Sequence, residues 1–300
     1  MDVRLLYKKV GKSTEDALSA PTIRLAHVDG AQGDGVLKGE RGHKQIEQEK
    51  APALLVSFVY LRPFLENQKR YMYRDWVLDS GAFSAFNSGQ TIDLQQYIET
   101  CKELLATDKT LTEVFSLDVI GDHKGSLRNT EKMWEEGVPA IPCYHADEPV
   151  DALMEMARTY PKIALGGVAL RRDAAKIEWA GQCFSRVWPK RIHGFAFCSE
   201  KAIMSLPWHS VDASSWELGP CGFGSWKSFG KMSVRGSSQN LRAEIDFYLR
   251  LERQARSRWV KEMRILDELG SDAPDVRLSI GSRSVHQIGL HRKGIRRRKK

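Results

Sequence analysis

The sequence lacks the features that would direct it out of the cytoplasm. No apolar run approaches the roughly 20 residues that a membrane-spanning helix needs. The amino-terminal stretch MDVRLLYKKVGK has no apolar core followed by a small-residue cleavage site, so no secretory signal is expected. The five cysteines are odd in number and scattered, unlike a disulfide framework. They are Cys101, Cys143, Cys183, Cys198 and Cys221. These absences predict a cytoplasmic protein with no membrane partner.

A glycine-rich phosphate loop is also missing. Residues 29–43 contain several glycines, but these do not lie between a strand and a helix, as a P-loop or a dinucleotide fingerprint requires. We interpret residues 1–50 as an N-terminal segment that is partly flexible, with a possible strand over 3–10.

Acidic residues are absent after Asp275, although the chain as a whole has a net charge of only +8. Residues 271–300 therefore form a basic tail, and such tails commonly bind phosphate backbones. The alternative is a solvated tail that only improves solubility. The candidate nucleic-acid-binding residues are Arg292, Lys293, Arg296, Arg297 and Arg298.

Short apolar segments alternate with segments of helical periodicity along the rest of the chain. Strands are predicted over 54–60, 76–78, 114–118, 138–142, 162–165, 191–195 and 209–212, with a further one over 228–234. Helices are predicted over 94–106, 126–136, 150–160, 173–184, 201–206 and 240–269. This order predicts an α/β fold, a (β/α)8 TIM barrel over 51–239 with a helical extension over 240–270. An open doubly wound sheet is the alternative, although a phosphate turn would be expected after its first strand.

Polar residues follow several of these strands. Asp79, Asp118 and Asp212 each end a predicted strand, and a glycine pair follows another. The carboxyl ends of all strands meet at one face of a barrel, so these groups are expected to surround one pocket. Taken singly, each acid is equally well explained as a strand-end or helix cap, and His145 and His193 as packing residues.

Convergent carboxylates suit chemistry at the anomeric carbon of a sugar, where one acts as nucleophile and another moves a proton. A glycine pair lets a flat heterocycle approach the backbone. A glycoside hydrolase and a catalytically silent barrel that binds nucleic acid remain alternatives at this point.

Four motifs occur in the same order as in a known family. The stretch from Leu78 to Ser84 resembles the Asp-Ser-Gly-Gly-Phe signature of tRNA-guanine transglycosylases. Leu117-Asp118 resembles the family's strand with the aspartate that reads the base. The strand that ends in Gly166-Gly167 resembles its glycine-pair strand, and Ser210-Val211-Asp212 resembles the strand that carries its nucleophile. The exact sequences of these motifs are closer to the phage and bacterial branch of the family, the 7-deazaguanine DNA transglycosylases. The segments in question are DSGAFSAFNSG, IPCYH, IALGGVA, IHGFAF and SVDASSW. The resemblance covers roughly residues 54 to 230.

The resemblance implies a base exchange that needs no ATP or other cofactor. Asp212 would attack the anomeric carbon of a guanosine nucleotide, and Asp79 would handle the proton as a free 7-deazaguanine, such as 7-cyano-7-deazaguanine, replaces guanine. The substrate-binding candidates are Ser80, Gly81, Phe83, Asp118, His145, Gly166, Gly167, His193 and Trp216. The location would be the cytoplasm, or the host cytoplasm for a phage protein.

The sequence departs from the tRNA enzymes in two places. Only Cys221 follows Asp212, so the closely spaced cysteines of their structural zinc site are missing, and no zinc of that type is expected. The missing zinc site favours DNA as the partner, with tRNA as the alternative. The sequence identifies no protein partner. Where those enzymes place a glutamine, this chain has Cys143-Tyr144-His145, so the 7-substituent is expected to be recognised differently.

Overall fold

The computed structural model describes residues 21–26, 28, 37, 50–219, 227–228 and 241–269, with side chains described through residue 259. The strand predicted over 3–10, nearly all of that over 228–234, and the whole basic tail with Arg292 to Arg298 lie outside these residues. Cys221 also lies outside them.

Eight parallel strands form one curled sheet. Their order is β4-β3-β2-β1-β8-β7-β6-β5. A parallel bridge between Phe115 and Ile141 joins the ends of β4 and β5, so the order becomes cyclic, consistent with a (β/α)8 barrel. The strands are β1 (Thr22–Leu25), β2 (Ala53–Ser57), β3 (Trp76–Asp79), β4 (Leu111–Val114), β5 (Cys143–His145), β6 (Lys162–Gly166), β7 (Arg191–Gly194) and β8 (Ser210–Ala213).

Helices connect most of the strands. They are α1 (Leu61–Asn67), α2 (Ala82–Asn87), α3 (Leu94–Thr107), α4 (His123–Glu135), α5 (Val150–Thr159), α6 (Asp173–Val187), α7 (Glu200–Ser205), α8 (Ser215–Glu217) and α9 (Leu241–Leu269). Asp93 caps α3, because its carboxylate accepts the Gln96 N–H at 2.8 Å. The long α9 packs against α7, α8 and β1. No described helix combines the length and apolar character needed to cross a membrane.

Alternate residues of each strand face two different cores. Leu54 and Val56 of β2 belong to the large core between sheet and helices, whereas Leu55 faces the barrel interior. The interior cluster also contains Ala26, Val77, Phe115, Ile141, Cys143 and Ala164. Strand β6 is buried throughout, as expected for a strand covered on both faces.

One strand, β1, was not predicted, and three strand predictions need correction. The strand predicted over 138–142 is instead β5 at Cys143–His145, since Pro139 and Pro142 cannot donate to a ladder. Strand β4 begins earlier than expected and ends at Val114, so Asp118 lies in the following loop. The residues after Ser57, predicted to extend β2, form a 3₁₀ turn over Phe58–Tyr60.

The Tyr97 hydroxyl anchors the barrel where β4 meets β5. It is fully buried and donates to the Phe115 carbonyl at 2.8 Å. We expect Tyr97→Phe to lower the free energy of unfolding by about 1–2 kcal/mol, because that carbonyl loses a buried donor. Denaturant titration measures the change. Tyr73→Phe, which removes a partly exposed hydroxyl 3.1 Å from Thr110 Oγ1, is the control and should change it by less than about 0.5 kcal/mol. Equal effects of the two substitutions would contradict the anchoring role.

Candidate active site

The three aspartates lie at the carboxyl edge of the sheet. Asp79 is the last residue of β3, Asp212 is on β8, and Asp118 is in the loop after β4. Burial, together with the charges of Asp118 and Asp212, raises the pKa of Asp79 to about 7, while backbone hydrogen bonds from Gly81 and Ser80 oppose the rise. Asp79 therefore lies close enough to Asp118 and Asp212 for their charges to affect its protonation.

Gly81 allows the chain to turn sharply behind Asp79. Its φ is +74°, and a Cβ there would lie 2.6 Å from the Ser57 Oγ. The Gly81 N–H donates to the Asp79 carboxylate at 3.1 Å. Any side chain at this position would therefore strain the turn and displace the group that orients Asp79. With a pKa of about 7, the Asp79 carboxyl can take up or release a proton near neutral pH.

Asp212 is held by a strained backbone. Its Oδ1 accepts the Ala196 N–H at 3.0 Å, and Ala196 has a φ of +64°, which non-glycine residues rarely adopt. Burial raises the pKa of Asp212 to about 6, while this hydrogen bond and the Lys176 charge oppose the rise. Both carboxyl groups can therefore exchange a proton near neutral pH.

Asp118 forms a carboxylate–imidazole–carboxylate row with His145 and Glu148. The His145 Nε2 lies 3.2 Å from Asp118 Oδ2, and its Nδ1 lies 2.8 Å from Glu148 Oε1. The Cys143 sulfur and the two carboxylates raise the pKa of His145, which favours the imidazolium. Burial raises the pKa of Asp118, and His145 opposes that shift. The other oxygen, Asp118 Oδ1, is buried without a hydrogen-bond partner among the described residues.

The glycine pair packs closely against this row. A Cβ on Gly166 would lie 2.7 Å from the Cys143 Sγ, and Gly167, with a φ of +71°, would place one 3.1 Å from the His145 Cβ. Larger residues would therefore push both side chains out of place. The absence of side chains at these two positions thus preserves the positions of Cys143 and His145.

One set of described residues has the composition of a metal site. Single ligand atoms of Asp118, Cys143 and His145 lie within 4.8 Å of one another. Oxygen, sulfur and nitrogen together suit zinc, and Glu148 occupies the outer position typical of a carboxylate that orients a ligating histidine. Burial raises the pKa of the Cys143 thiol to about 11, so a metal would have to displace its proton.

The remaining predicted residues lie at different depths. Ser80 is buried beside Asp79, whereas Phe83 on α2 is 62% exposed. Trp216 is fully buried in the large core, and its indole donates to the Ala26 carbonyl at 2.8 Å. His193 is fully buried as well, between Phe115 and Phe195. The structure therefore groups the aspartates, His145 and the glycine pair, and it leaves no exposed surface on Trp216 or His193.

Sequence reasoning missed three residues that act on the site. Glu148 orients His145, Ala196 donates to Asp212, and Lys176 lowers the pKa of Asp212 by its charge. A Glu three residues after a His was a possible signal for the first. An alanine with positive φ has no signature in the sequence, and Lys176 is one cation among many.

The fold and the site together define a barrel-type α/β protein with three half-buried carboxyl groups at one edge of its sheet. No protein-family model matches the chain, and no curated protein is significantly similar to it.

The raised pKa of Asp79 makes the site a source of pH-dependent instability. The folded protein binds this proton more tightly than the unfolded chain does, so the stabilisation is complete below pH 4 and is lost as the pH rises through about 7. We expect Asp79→Asn, which cannot ionise, to raise the free energy of unfolding at about pH 8 by roughly 1–3 kcal/mol. The gain should vanish near pH 4. Denaturant titrations at both pH values measure it, with Asp151→Asn, an exposed acid on α5, as the control. A gain independent of pH would contradict the assignment.

Proposed function

We propose that the protein is a transglycosylase that exchanges guanine in DNA for a free 7-deazaguanine base, using a (β/α)8 barrel as its scaffold. The observation that carries the proposal is a pair of carboxyl groups with raised pKa values at the carboxyl ends of two strands, Asp79 on β3 and Asp212 on β8. The pKa of Asp79 is raised to about 7 and that of Asp212 to about 6, and the charge of Asp212 contributes to the shift of Asp79. The reaction needs one carboxylate as nucleophile and a neighbouring carboxyl group as proton carrier, and this pair can supply both near neutral pH.

The first half of the reaction breaks the bond between the sugar and guanine. The Asp212 carboxylate attacks the anomeric carbon, and the electron pair of the C1′–N9 bond leaves with the base. A protonated Asp79 supplies the proton that guanine needs to depart as a neutral molecule. The product of this half is a glycosyl ester of Asp212, together with an ionised Asp79.

The second half runs in the opposite direction with a different base. Asp79, now ionised, takes the N9 proton of the incoming 7-deazaguanine, whose nitrogen attacks the anomeric carbon. The ester bond breaks and its electron pair returns to Asp212. One glycosidic bond has replaced another, so the cycle needs no ATP and no redox cofactor.

Recognition of the base is assigned to Asp118 and the glycine pair. Asp118 Oδ1 is buried without a partner in the described part of the chain, which is costly unless a ligand supplies a donor. The N–H edge of a guanine-like base supplies such donors. Gly166 and Gly167 have no side chains to cover their backbone, which lets a flat ring approach it, and His145 holds Asp118 through its other oxygen, Oδ2.

Exposed aromatic residues support a nucleic-acid substrate. Phe83 and Phe86 on α2, which directly follows Asp79 and Gly81, are each 62% exposed. Aromatic side chains stack with unpaired bases, and a base must leave its stack before its anomeric carbon can be attacked. Single-stranded DNA or a flipped-out base therefore fits this surface. tRNA, which also presents unpaired bases, is the alternative substrate.

An exchange assay tests the proposal. Protein is incubated with single-stranded DNA, duplex DNA or tRNA carrying radiolabelled guanine, and 7-cyano-7-deazaguanine is added. We expect release of label from DNA, a fall of about a thousandfold or more in Asp212→Asn, and a fall of about 10²–10⁴-fold in Asp79→Asn. Asp151→Asn should match the wild type. Without the incoming base, denaturing mass spectrometry should detect a DNA adduct that Asp212→Asn does not form.

The other outcomes separate the alternatives. Release from tRNA alone would transfer the activity to tRNA. Guanine release that leaves abasic sites, with no incorporation, would indicate a hydrolase. No release from any substrate, with nucleic-acid binding intact, would contradict the enzymatic proposal and favour a silent binding barrel.

The basic tail generates a separate prediction. Replacing its five candidate cations, Arg292, Lys293, Arg296, Arg297 and Arg298, with glutamine should weaken single-stranded DNA binding regardless of base sequence. The slope of log affinity against log salt should fall by up to about 0.7 for each phosphate that the tail no longer neutralises. Fluorescence anisotropy at several salt concentrations measures both. The control is the double variant Lys69→Gln with Lys109→Gln. These two exposed lysines precede β3 and β4, at the edge of the sheet opposite to the aspartates. An unchanged slope in the tail variant would remove the tail from the interface.

A further inference from the structure

A row of polar groups runs through the barrel interior to Asp212. Lys162 Nζ lies 2.6 Å from Glu113 Oε2 and 3.2 Å from Ser210 Oγ. Ser210 Oγ in turn lies 2.9 Å from His193 Nδ1. The other nitrogen, His193 Nε2, lies 3.9 Å from Asp212 Oδ1. Lys162 and Ser210 begin β6 and β8, so the row extends from the amino end of the barrel towards its carboxyl edge.

The direction of these hydrogen bonds is fixed by Lys162. An ammonium group only donates, and Glu113 helps to keep Lys162 charged, although burial lowers its pKa to about 8. Ser210 therefore accepts from Lys162, and its single hydrogen is left for His193 Nδ1. A nitrogen that accepts carries no proton of its own. The neutral imidazole then has its proton on Nε2.

The opposite tautomer is unfavourable. With the proton on Nδ1, His193 would donate to Ser210 and the hydroxyl hydrogen would need another acceptor, while the lone pair of Nε2 would face the Asp212 carboxylate. Burial, followed by the charges of Lys162, Arg24 and His209, lowers the pKa of His193 well below its usual value, so the doubly protonated form is also disfavoured.

The Nε2–H has no hydrogen-bond partner in the described structure. Its nitrogen is buried and unpaired, and His193 itself is fully buried. The ring lies between Phe115 and Phe195, with centroids at 4.8 and 4.6 Å, which limits its rotation. At 3.9 Å, the Asp212 oxygen is too far for a hydrogen bond, and the two atoms would have to approach by about 0.7 Å to form one.

We infer that His193 is a positioning residue for the nucleophile, and that Lys162 and Ser210 hold it as the Nε2–H tautomer so that it donates to Asp212. The inference rests on the proposed function and deepens it. In the second half of the exchange, negative charge returns to Asp212 as its ester bond breaks. A buried N–H aimed at that oxygen stabilises the departing carboxylate more than it stabilises the neutral ester. His193 thus acts through Asp212 and not on the base.

The tautomer is tested without any reaction. Two-bond ¹⁵N–¹H correlation spectra of the full chain identify the protonated nitrogen of each histidine, and the His193 signals are assigned by their loss in His193→Gln. We expect a single tautomer protonated at Nε2, and a shift towards Nδ1 protonation in Ser210→Ala, where the accepting constraint is gone. Protonation at Nδ1 in the wild type would overturn the inference, whether or not the protein exchanges bases.

A pair of variants tests the consequence for catalysis. His193→Phe keeps an aromatic ring between Phe115 and Phe195 but removes the donor, whereas the amide of His193→Gln replaces the Nε2–H. We expect kcat to fall about 10- to 100-fold in the Phe variant with KM nearly unchanged, and Gln to restore most of the loss. Wild-type kcat in the Phe variant would overturn the inference. An equal loss of kcat in both variants would also overturn it, because the loss would then come from altered packing and not from the missing donor.

The two proposals fail in different ways. Absence of exchange in the wild-type protein would contradict the proposed function, and the tautomer spectra would then decide by themselves whether the donor faces Asp212. Exchange that is present in the wild type and indifferent to the donor at position 193 would leave the proposed function standing and remove only His193.

Discussion

Partial burial of three carboxyl groups at one edge of a parallel sheet is the constraint on which the site depends. Strands β3 and β8 and the loop after β4 bring Asp79, Asp118 and Asp212 to this edge although they are far apart in the chain, and the surrounding residues leave each only partly exposed to water. Each has a raised pKa because burial disfavours its charge. Local hydrogen-bond donors oppose this rise in pKa. The donors are backbone N–H groups for Asp79 and Asp212 and the His145 imidazolium for Asp118.

The amino end of the barrel treats buried charge in the opposite way. Arg24 pairs with Asp75 at 2.6 Å, and Lys162 pairs with Glu113 at the same distance. Glu252 on α9 accepts both the Ile23 N–H at 2.8 Å and the Arg74 guanidinium at 3.0 Å, which joins the helix to β1. Oppositely charged pairs hold the amino end together, whereas at the carboxyl edge the pKa values of Asp79 and Asp212 are raised towards neutral pH. The two ends of this sheet therefore differ in how they accommodate charge.

Much of this arrangement was visible in the sequence, and the failures have physical causes. Buried strands such as β3 and β6 are short apolar runs that end in Asp or Gly, so their ends could be located and their carboxyl groups grouped. Strand β5 was predicted too early in the chain, because the apolar run over 138–142 contains two prolines and the strand forms only after them. Asp118 was recognised although its strand ends four residues earlier. Ala196 could not be found, because its role depends on a backbone angle and a main-chain donor that tertiary structure imposes.

Lys162 shows why a purely local interpretation of the site would be incomplete. It begins a strand whose other end carries the glycine pair, and by its position alone it would be assigned to the stabilising end of the barrel. Because an ammonium cannot accept a hydrogen bond, its hydrogen bond to Ser210 fixes the proton of His193 and so determines what faces Asp212. The charged pair that stabilises one end thereby sets a hydrogen-bond direction at the other. This is possible because β6 and β8 are short. Each strand carries a residue of the polar row at its amino end, Lys162 or Ser210, and a residue of the site near its carboxyl end, Gly166 or Asp212.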